Sequence, residues 1–95
     1  MTRKFKLTED SVTHFGRTLY RIEALIDFGL VKAGDLGGCV EREDNLSHDG
    51  DAWVCDDAEV YGNARVFGDA RVFSDAWVYG NARVFGDARV FSEAW

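Results

Sequence analysis

The histidine and cysteine side chains of this sequence are the ones that most often serve catalysis or metal binding, because imidazole and thiolate act as bases, nucleophiles and ligands. The sequence has two of each, His14, His48, Cys39 and Cys55. The cysteines do not have a metal-ligand spacing, and a three-histidine zinc site would require one His48 from each of three symmetry copies. A structural role is the simpler interpretation of all four. We therefore predict that the protein is not an enzyme and holds no metal and no cofactor.

Glycine-rich loops are the other common source of chemistry, since they cradle phosphate groups. Neither a GxGxxG motif nor a P-loop is present, and Gly37-Gly38 alone is a poor phosphate-binding signal. We interpret Gly37-Gly38, like Ala33-Gly34-Asp35 before it, as a turn that leads into the repeats described below.

Carboxylates are concentrated in the middle of the chain. Residues 35–57 carry eight acidic side chains and one basic side chain, in a chain whose formal net charge is -6. This acidic band would keep the domain soluble. It could also form a surface complementary to a basic partner, including a mimic of nucleic-acid charge. The candidate partner-binding residues are Glu41, Glu43, Asp44, Asp49, Asp51, Asp56 and Asp57.

A six-residue repeat occupies the second half of the chain, and its fold must position the acidic and other candidate side chains. Its consensus is Asp/Asn, Ala, any residue, Val, Tyr/Phe, Gly/Ser, and residues 57–74 and 75–92 differ only at Glu59 against Trp77. The full period is therefore three hexads, which predicts three short strands per coil in a triangular parallel β-solenoid. Alanine and valine lie on one side of each strand and are small enough to fill the core. The Gly-Asn, Gly-Asp and Ser-Asp pairs predict turns at the corners.

The repeat resembles the hexapeptide repeats of left-handed β-helix proteins, in which an aliphatic residue follows a small residue two positions earlier. That resemblance implies a left-handed coil. Enzymes of this fold are chiefly acyltransferases and metal-dependent carbonic anhydrases, which need a histidine base or three histidine ligands, and this sequence offers only His14 and His48 for such a role. The acyltransferases usually also have longer helices, inserted loops and a C-terminal helix, which this sequence lacks. Residues 18–47, TLYRIEALIDFGLVKAGDLGGCVEREDNLS, followed by hexapeptides, resemble short uncharacterised proteins encoded by bacteriophages and prophages.

The N-terminal half of the chain is expected to cap the coils, because a short solenoid needs one. NLSHDG, residues 45–50, fits the hexad with Leu46 in the alanine place and His48 in the valine place, whereas the preceding hexad would put Arg42 inward. We therefore predict a β-rich capping segment over residues 1–44 and about three coils over residues 45–95, in one compact domain. Strands around a tight turn at Gly16-Arg17 are expected in the cap, with a short helix at residues 20–28 as the alternative.

The three predicted walls carry different outward side chains. The second and third walls alternate arginine with phenylalanine, whereas the first has large aromatic groups and no arginine. Such an apolar surface is unusual on a monomer of this size, and the chain also stops partway along a strand. We therefore predict a homodimer, formed either laterally or end to end. The self-association residues are Tyr61, Trp77, Tyr79 and Trp95.

The composition indicates the general class of protein and the cellular compartment. The chain has 95 residues, 46% of them hydrophobic, without a long apolar run. This indicates a folded domain with no membrane partner. The start MTRKFKLTED lacks the apolar stretch of a signal peptide, so we expect reduced thiols and a location in the cytoplasm of the bacterial host.

The function that we favour from the sequence is that of a non-enzymatic phage or prophage accessory protein. Its acidic surface would compete with nucleic acid for a host defence or nucleic-acid-processing complex, in the manner of an anti-CRISPR inhibitor. One alternative is a self-assembling structural β-solenoid module. Another is an oligomeric sponge that traps a nucleotide on the arginine and phenylalanine walls. Direct binding of nucleic acid is disfavoured by the net charge of -6.

Overall fold

Short β-strands make up almost all of the regular structure. The structure is a computed structural model and describes residues 3–14 and 16–91. A single 3₁₀ turn, Glu43–Asn45, interrupts the strands of this part of the chain. The prediction of an all-β fold is confirmed. The strands are β1 (Phe5–His14), β2 (Arg17–Ala24), β3 (Leu36–Val40), β4 (Trp53–Val54), β5 (Glu59–Val60), β6 (Arg65–Val66), β7 (Arg71–Val72), β8 (Trp77–Val78), β9 (Arg83–Val84) and β10 (Arg89–Val90).

The N-terminal strands form an antiparallel hairpin that is joined to the repeats. β1 pairs with β2 across a turn in which Gly16 has a φ of 75°. β2 then pairs antiparallel with β3, with Tyr20 opposite Val40. Since residues up to Ala24 are extended in β2, the alternative of a helix beginning at Tyr20 does not hold.

The repeat strands pair in parallel ladders with a constant offset. The first ladder joins β3, β5 and β8, the second joins β6 and β9, and the third joins β4, β7 and β10. Val60 pairs with Val78 and Val66 with Val84, so that each valine lies opposite the valine three hexads later. The period read from the two near-identical sequence copies is therefore the pairing offset within the repeats.

Alanine and valine form the buried face of the hexads, as the sequence predicted, except in the last described layer, where Ala82 and Ala88 are exposed. The aromatic side chains lie on the opposite side of the strands, where they stack on the equivalent rings one period away, and Tyr61 is covered there by Leu19 and Cys39. Ring centroids are 5.5 Å apart for Tyr61 and Tyr79 and 5.3 Å apart for Phe67 and Phe85. The buried alanines and valines of the repeats are Ala52, Val54, Ala58, Val60, Ala64, Val66, Ala70, Val72, Ala76, Val78 and Val84.

The register of the chain before Gly50 differs from the prediction. Val40 pairs with Val60 and Leu46 with Val66, an offset that exceeds one period by two positions. Leu46 therefore takes the valine place rather than the alanine place, and Arg42 is exposed rather than inward. The regular offset returns at Asp51, whose N–H donates to Asp69. An insertion of two positions between Leu46 and Gly50 absorbs the difference.

Gly37 and Gly38 form part of β3 and are not a turn, which corrects the sequence interpretation. Both are buried. A Cβ at Gly37 would lie 2.4 Å from the Val54 carbonyl oxygen, and a Cβ at Gly38 would lie 2.4 Å from the Ala58 carbonyl oxygen. Glycine is required here because the neighbouring backbone approaches too closely for any side chain.

The hairpin contributes to the same core as the repeats. Phe5, Ile22 and Ala24 belong to the buried cluster that contains the repeat alanines and valines. A division of the chain at residues 44 and 45 stays a prediction.

None of the helices within the described residues has the length and apolar character of a membrane span.

Candidate interaction surfaces

His48 lies at the junction between the hairpin and the repeats instead of inside the core. Its ring stacks on Phe5 at a centroid distance of 4.3 Å. The Lys4 backbone N–H donates to Nδ1 at 3.0 Å, and Nε2 lies 2.8 Å from Oε1 of Glu43. A backbone N–H can only donate, so Nδ1 accepts and the proton of the neutral ring is on Nε2. Both ring nitrogens are therefore engaged within the chain in this conformation. The side chain of His14 lies outside the described part.

Glu43 links this junction to the N-terminus of β1. Arg3 forms an ion pair with its Oε1 at 3.1 Å. Burial opposes ionisation of the Glu43 carboxyl, but hydrogen bonds from His48 and Arg3 outweigh it and lower its pKa. This carboxylate is held in place by contacts within the chain.

Glu41 is also committed to contacts within the chain. Nη1 of Arg17 donates to both carboxylate oxygens, at 2.9 and 3.1 Å, and the Gly62 backbone N–H donates to Oε1 at 2.8 Å. Glu41 thereby ties β2 to the turn after β5. Of the seven predicted partner-binding acids, Glu41 and Glu43 have clear structural roles.

The other five predicted acids lie in exposed turns. Asp44 is in the 3₁₀ turn, and Asp49 is in the segment that absorbs the change of register. Oδ2 of Asp56 accepts from the Ser74 N–H at 3.2 Å, and Asp57 lies 3.6 Å from Arg21. Asp51 donates its N–H to Oδ1 of Asp69 at 3.2 Å.

Two columns of aspartates border the third ladder. One column occupies the turn before each strand of that ladder and the other occupies the turn after it. Equivalent residues in neighbouring strands of a sheet are about 4.8 Å apart. The equivalent turn before the second ladder carries Asn63 and Asn81 instead, with an amide contact of 3.4 Å. The acidic columns are Asp51, Asp69 and Asp87 before the ladder, and Asp56, Asp57 and Asp75 after it.

Sequence reasoning grouped these acids by their position along residues 41–57 and so left out Asp69, Asp75 and Asp87. The signal that identifies them is the register of one period between stacked strands, which places Asp69 below Asp51 and Asp75 below Asp57. The register thus divides the predicted acidic patch into three groups. Asp51, Asp56 and Asp57 belong to the two columns, Glu41 and Glu43 form ion pairs with arginines within the chain, and Asp44 and Asp49 belong to neither group.

Lys4 is a buried amine that sequence reasoning missed. Its Nζ donates to the Ala52 carbonyl at 2.6 Å and to the Gly50 carbonyl at 3.3 Å. The Nζ also lies 4.8 Å from the centre of the Phe28 ring. Burial lowers the pKa of Lys4 from 10.5 to about 8, although Asp51, Asp49 and Asp69 partly counteract it.

The predicted self-association residues are divided between the interior and the surface. Tyr61 is buried together with Leu19 and Cys39. Trp77 is 48% exposed and Tyr79 is 56% exposed, both on the outer side of the first ladder. Trp95 lies outside the described residues. The described part of the predicted aromatic surface therefore centres on β8.

A cleft of about 610 Å³ opens beside the second ladder, next to the 3₁₀ turn. Its lining combines carboxylates, guanidinium groups and an aromatic ring. The sequence indicated the alternating arginine and phenylalanine of this ladder, but not that residues 43–48 enclose a cleft beside them. The residues that line it are Glu43, Asp44, Leu46, Ser47, His48, Arg65, Val66, Phe67 and Arg83.

The two cysteines occupy different environments, and both are free thiols. Burial raises the pKa of the Cys39 thiol, and it does the same for Cys55. A raised pKa keeps a thiol protonated and poorly nucleophilic. Among the described residues, no three of the His, Cys, Asp and Glu side chains are grouped so as to hold a metal ion.

A comparison with protein families identifies the architecture. Residues 58–74, 64–80 and 76–92 each match the family described as the YdcK beta solenoid repeat. The chain is a β-solenoid repeat protein. The matched spans start at residues 58, 64 and 76, which are alanines of the buried face, so each match begins at the same place in a hexad. A search of curated proteins finds no match to the chain.

Proposed function

We propose that this solenoid is a non-enzymatic binding protein whose acidic columns occupy a basic surface of a nucleic-acid-processing complex in a bacterial host. Occupation of that surface would exclude nucleic acid and so inhibit the complex, as an anti-CRISPR inhibitor does. The proposal includes a phage or prophage origin, for which the support is the resemblance of residues 18–47 to phage-encoded proteins. It also includes a cytoplasmic location in the host.

The observation that carries the proposal is the pair of aspartate columns beside the third ladder. A solenoid repeats its turns at the strand spacing of about 4.8 Å, which gives a straight line of negative charge. One strand of duplex DNA carries a phosphate about every 3.4 Å along its axis. A short rigid column of carboxylates therefore approximates the charge density that a basic nucleic-acid channel is built to attract.

The rigidity of the columns follows from the fold that we propose, a left-handed parallel β-helix capped by residues 1–44. It has three hexads per coil and about three coils. Support for the coil length comes from the constant pairing offset of the ladders, such as Trp53 with Arg71 and Arg71 with Arg89. The hand rests on the resemblance to hexapeptide repeats.

The experiment removes the negative charge from one aspartate column and compares partner capture with that of a variant of the uncharged Asn63 and Asn81 turn. Tagged wild-type protein is used to capture complexes from the host lysate at moderate salt, and captured complexes are identified and tested for release by duplex DNA. The test variant is Asp51→Asn/Asp69→Asn/Asp87→Asn. The matched control is Asn63→Ser/Asn81→Ser, which changes the equivalent turn without changing charge.

Capture of a nucleic-acid-processing complex that duplex DNA displaces, and that the triple variant loses while the control retains it, would support the proposal. Equal capture by the triple variant would refute the acidic-surface mechanism. Glu41→Lys and Glu43→Lys are unsuitable tests, since these carboxylates hold Arg17, Arg3 and His48 and their reversal would alter the cap itself.

Self-association through the first ladder is the second candidate function, and the exposed rings of Trp77 and Tyr79 favour it. A homodimer would cover both rings. Light scattering of Trp77→Glu/Tyr79→Glu should then show loss of a dimer that wild type forms. Phe85→Glu is the matched control, because Phe85 is 58% exposed on the second ladder. A wild-type monomer at all accessible concentrations would exclude this candidate.

A further inference from the structure

The cleft beside the second ladder has the size and the mixed chemistry of a small-molecule site. Its volume of about 610 Å³ falls within the range of about 300 to 1,000 Å³ that is usual for ligand pockets. The cleft lies where the chain enters its regular register. The 3₁₀ turn and the residues after it contribute Asp44 and Ser47, while the repeats contribute Arg65, Arg83 and Phe67.

Arg65 and Arg83 form a column of like charge at one side of the cleft. They are directly paired in β6 and β9, and both are exposed. Like charges opposite each other on neighbouring strands repel. Neither guanidinium group has a carboxylate within ion-pair distance in the described part of the chain, whereas Arg17 is paired with Glu41 at 2.9 Å. An anion between the two groups would convert the repulsion into paired, charge-assisted hydrogen bonds.

The remaining lining suits a planar ring. Phe67 is half-buried in the cleft and is held by its stack on Phe85, at an interplanar angle of 11°. An aromatic face of this kind stacks on nucleobases with little regard to their identity. The Ser47 hydroxyl accepts from the Asp49 N–H at 3.0 Å, so its own proton is available to a ligand.

We propose that this cleft binds a free nucleoside 5′-monophosphate, with the phosphate held between Arg65 and Arg83 and the base against Phe67. Asp44 at the rim can accept a hydrogen bond from an amino group of the base. The site does not use the aspartate columns, so it stands or fails independently of the proposed inhibition of a host complex.

Isothermal titration calorimetry with AMP, inorganic phosphate and a short single-stranded oligodeoxyadenylate tests the proposal on the full chain. The test variant is Arg65→Gln/Arg83→Gln. The matched control is Arg71→Gln/Arg89→Gln, which changes the same hexad position on the third ladder. There the Gly29 loop lies over Arg71, since a Cβ at Gly29 would be 3.3 Å from Nη2. Circular dichroism of each variant checks that the fold is retained.

Saturable binding of AMP, weakened about tenfold or more in Arg65→Gln/Arg83→Gln and unchanged in the control, is the expected result. Phe67→Leu should also weaken AMP binding, because the stacking surface is lost. The proposal is overturned if AMP does not bind at millimolar concentration, or if both arginine variants lose it equally. Equal affinity for inorganic phosphate would refute the role of Phe67, and tighter binding of the oligonucleotide than of AMP would identify a strand rather than a free nucleotide as the ligand.

Discussion

Asn45 replaces backbone donors with a side-chain amide at the point where the chain enters the second ladder. Its Nδ2 donates to the Ala64 carbonyl at 2.9 Å and to the Gly62 carbonyl at 3.3 Å, and its Oδ1 accepts from the Arg42 N–H at 2.7 Å. Equivalent carbonyls in the next layer receive backbone N–H groups, as Arg65 N donates to Ala82 O. The amide thus satisfies polar groups that the change of register would otherwise leave unpaired.

Asn45→Ala is expected to lower the free energy of unfolding by about 2 to 4 kcal/mol, because buried acceptors and a donor lose their partner. Asn81→Ala, in an exposed turn, should change it by less than about 0.5 kcal/mol. Urea denaturation followed by circular dichroism measures both. Equal effects of the two substitutions would show that Asn45 is not a specific structural residue.

Lys4 makes stability depend on pH in the alkaline range. Its pKa is lowered to about 8 in the folded chain from 10.5. Between these values the unfolded chain binds more protons than the folded chain, so the contribution of Lys4 to stability rises with pH. Below pH 8 the amine is charged in both states, and the full cost of burying the charge remains. The neutral amine formed at higher pH still has N–H donors for the Gly50 and Ala52 carbonyls.

Lys4→Met should remove this rise, and the measurable quantity is the difference in unfolding free energy between wild type and variant. That difference is expected to shift in favour of wild type by an amount on the order of 2 kcal/mol between pH 8 and pH 10.5. The difference is needed because the raised pKa values of Cys39 and Cys55 act in the opposite direction. Lys6→Met is the control, since Lys6 is exposed and lies 3.8 Å from Glu23. A pH-independent difference for Lys4→Met would contradict the assignment.

Strand β3 depends on the absence of side chains at Gly37 and Gly38. In Gly38→Ala the new Cβ would lie 2.4 Å from the Ala58 carbonyl oxygen, so β3 and β5 must separate. The expected loss of stability is at or above the upper end of the usual overpacking range of about 1 to 3 kcal/mol. Gly80→Ala is the comparison, because its φ is 66° but nothing lies within 4 Å, and strain alone costs about 1 to 2 kcal/mol. Thermal unfolding that ranks Gly80→Ala as the worse variant would refute the close-packing argument.

The regular repeat strands could be predicted from the sequence, whereas the register of the segment that precedes them could not. From Ala58 onward every hexad repeats the same alanine and valine, so the inward face and the pairing offset follow directly. The amino-acid types at the turn positions of residues 45–50 match the hexad consensus. The true register is nevertheless set by the side chain of Asn45 and by an insertion of two positions. Hexad matching has no means of detecting either.

The interaction surfaces were predictable only in part, for a related reason. Acidic residues were found by their density along the chain, but their grouping depends on which turns are stacked. Strand pairing places Asp69 next to Asp51 in one acidic column. Glu41 does not contribute a free carboxylate to this surface, because it forms an ion pair with Arg17. The cleft depends on how residues 43–48 lie against β6 and β9, which a pattern of single residues does not contain.

The two ends of the ladders formed by the described strands are unequal. Along the first ladder the hairpin covers the edge of β3, where β2 pairs with it. At the opposite end, the last described strands have no further strand beside them in residues 3–14 and 16–91. Tyr61 N donates to Val78 O at 3.0 Å and Phe67 N to Val84 O at 2.9 Å. The N–H groups of Tyr79 and Phe85, one period later, have no such backbone acceptor within that part of the chain.

Hydrogen exchange should therefore reveal a gradient of protection along the solenoid, and it should also report self-association. In dilute protein the amides of Tyr79 and Phe85 are expected to exchange much faster than those of Tyr61 and Phe67, which are their own controls one period earlier. If two copies pair through this open edge, protection of Tyr79 and Phe85 will increase with protein concentration, because unpaired strand edges recruit a second chain. If two copies pair only through the outer rings of Trp77 and Tyr79, the molecular mass in solution will double while the amides of Tyr79 and Phe85 continue to exchange rapidly. Equal protection of both pairs of amides in a monomer would contradict the open edge itself.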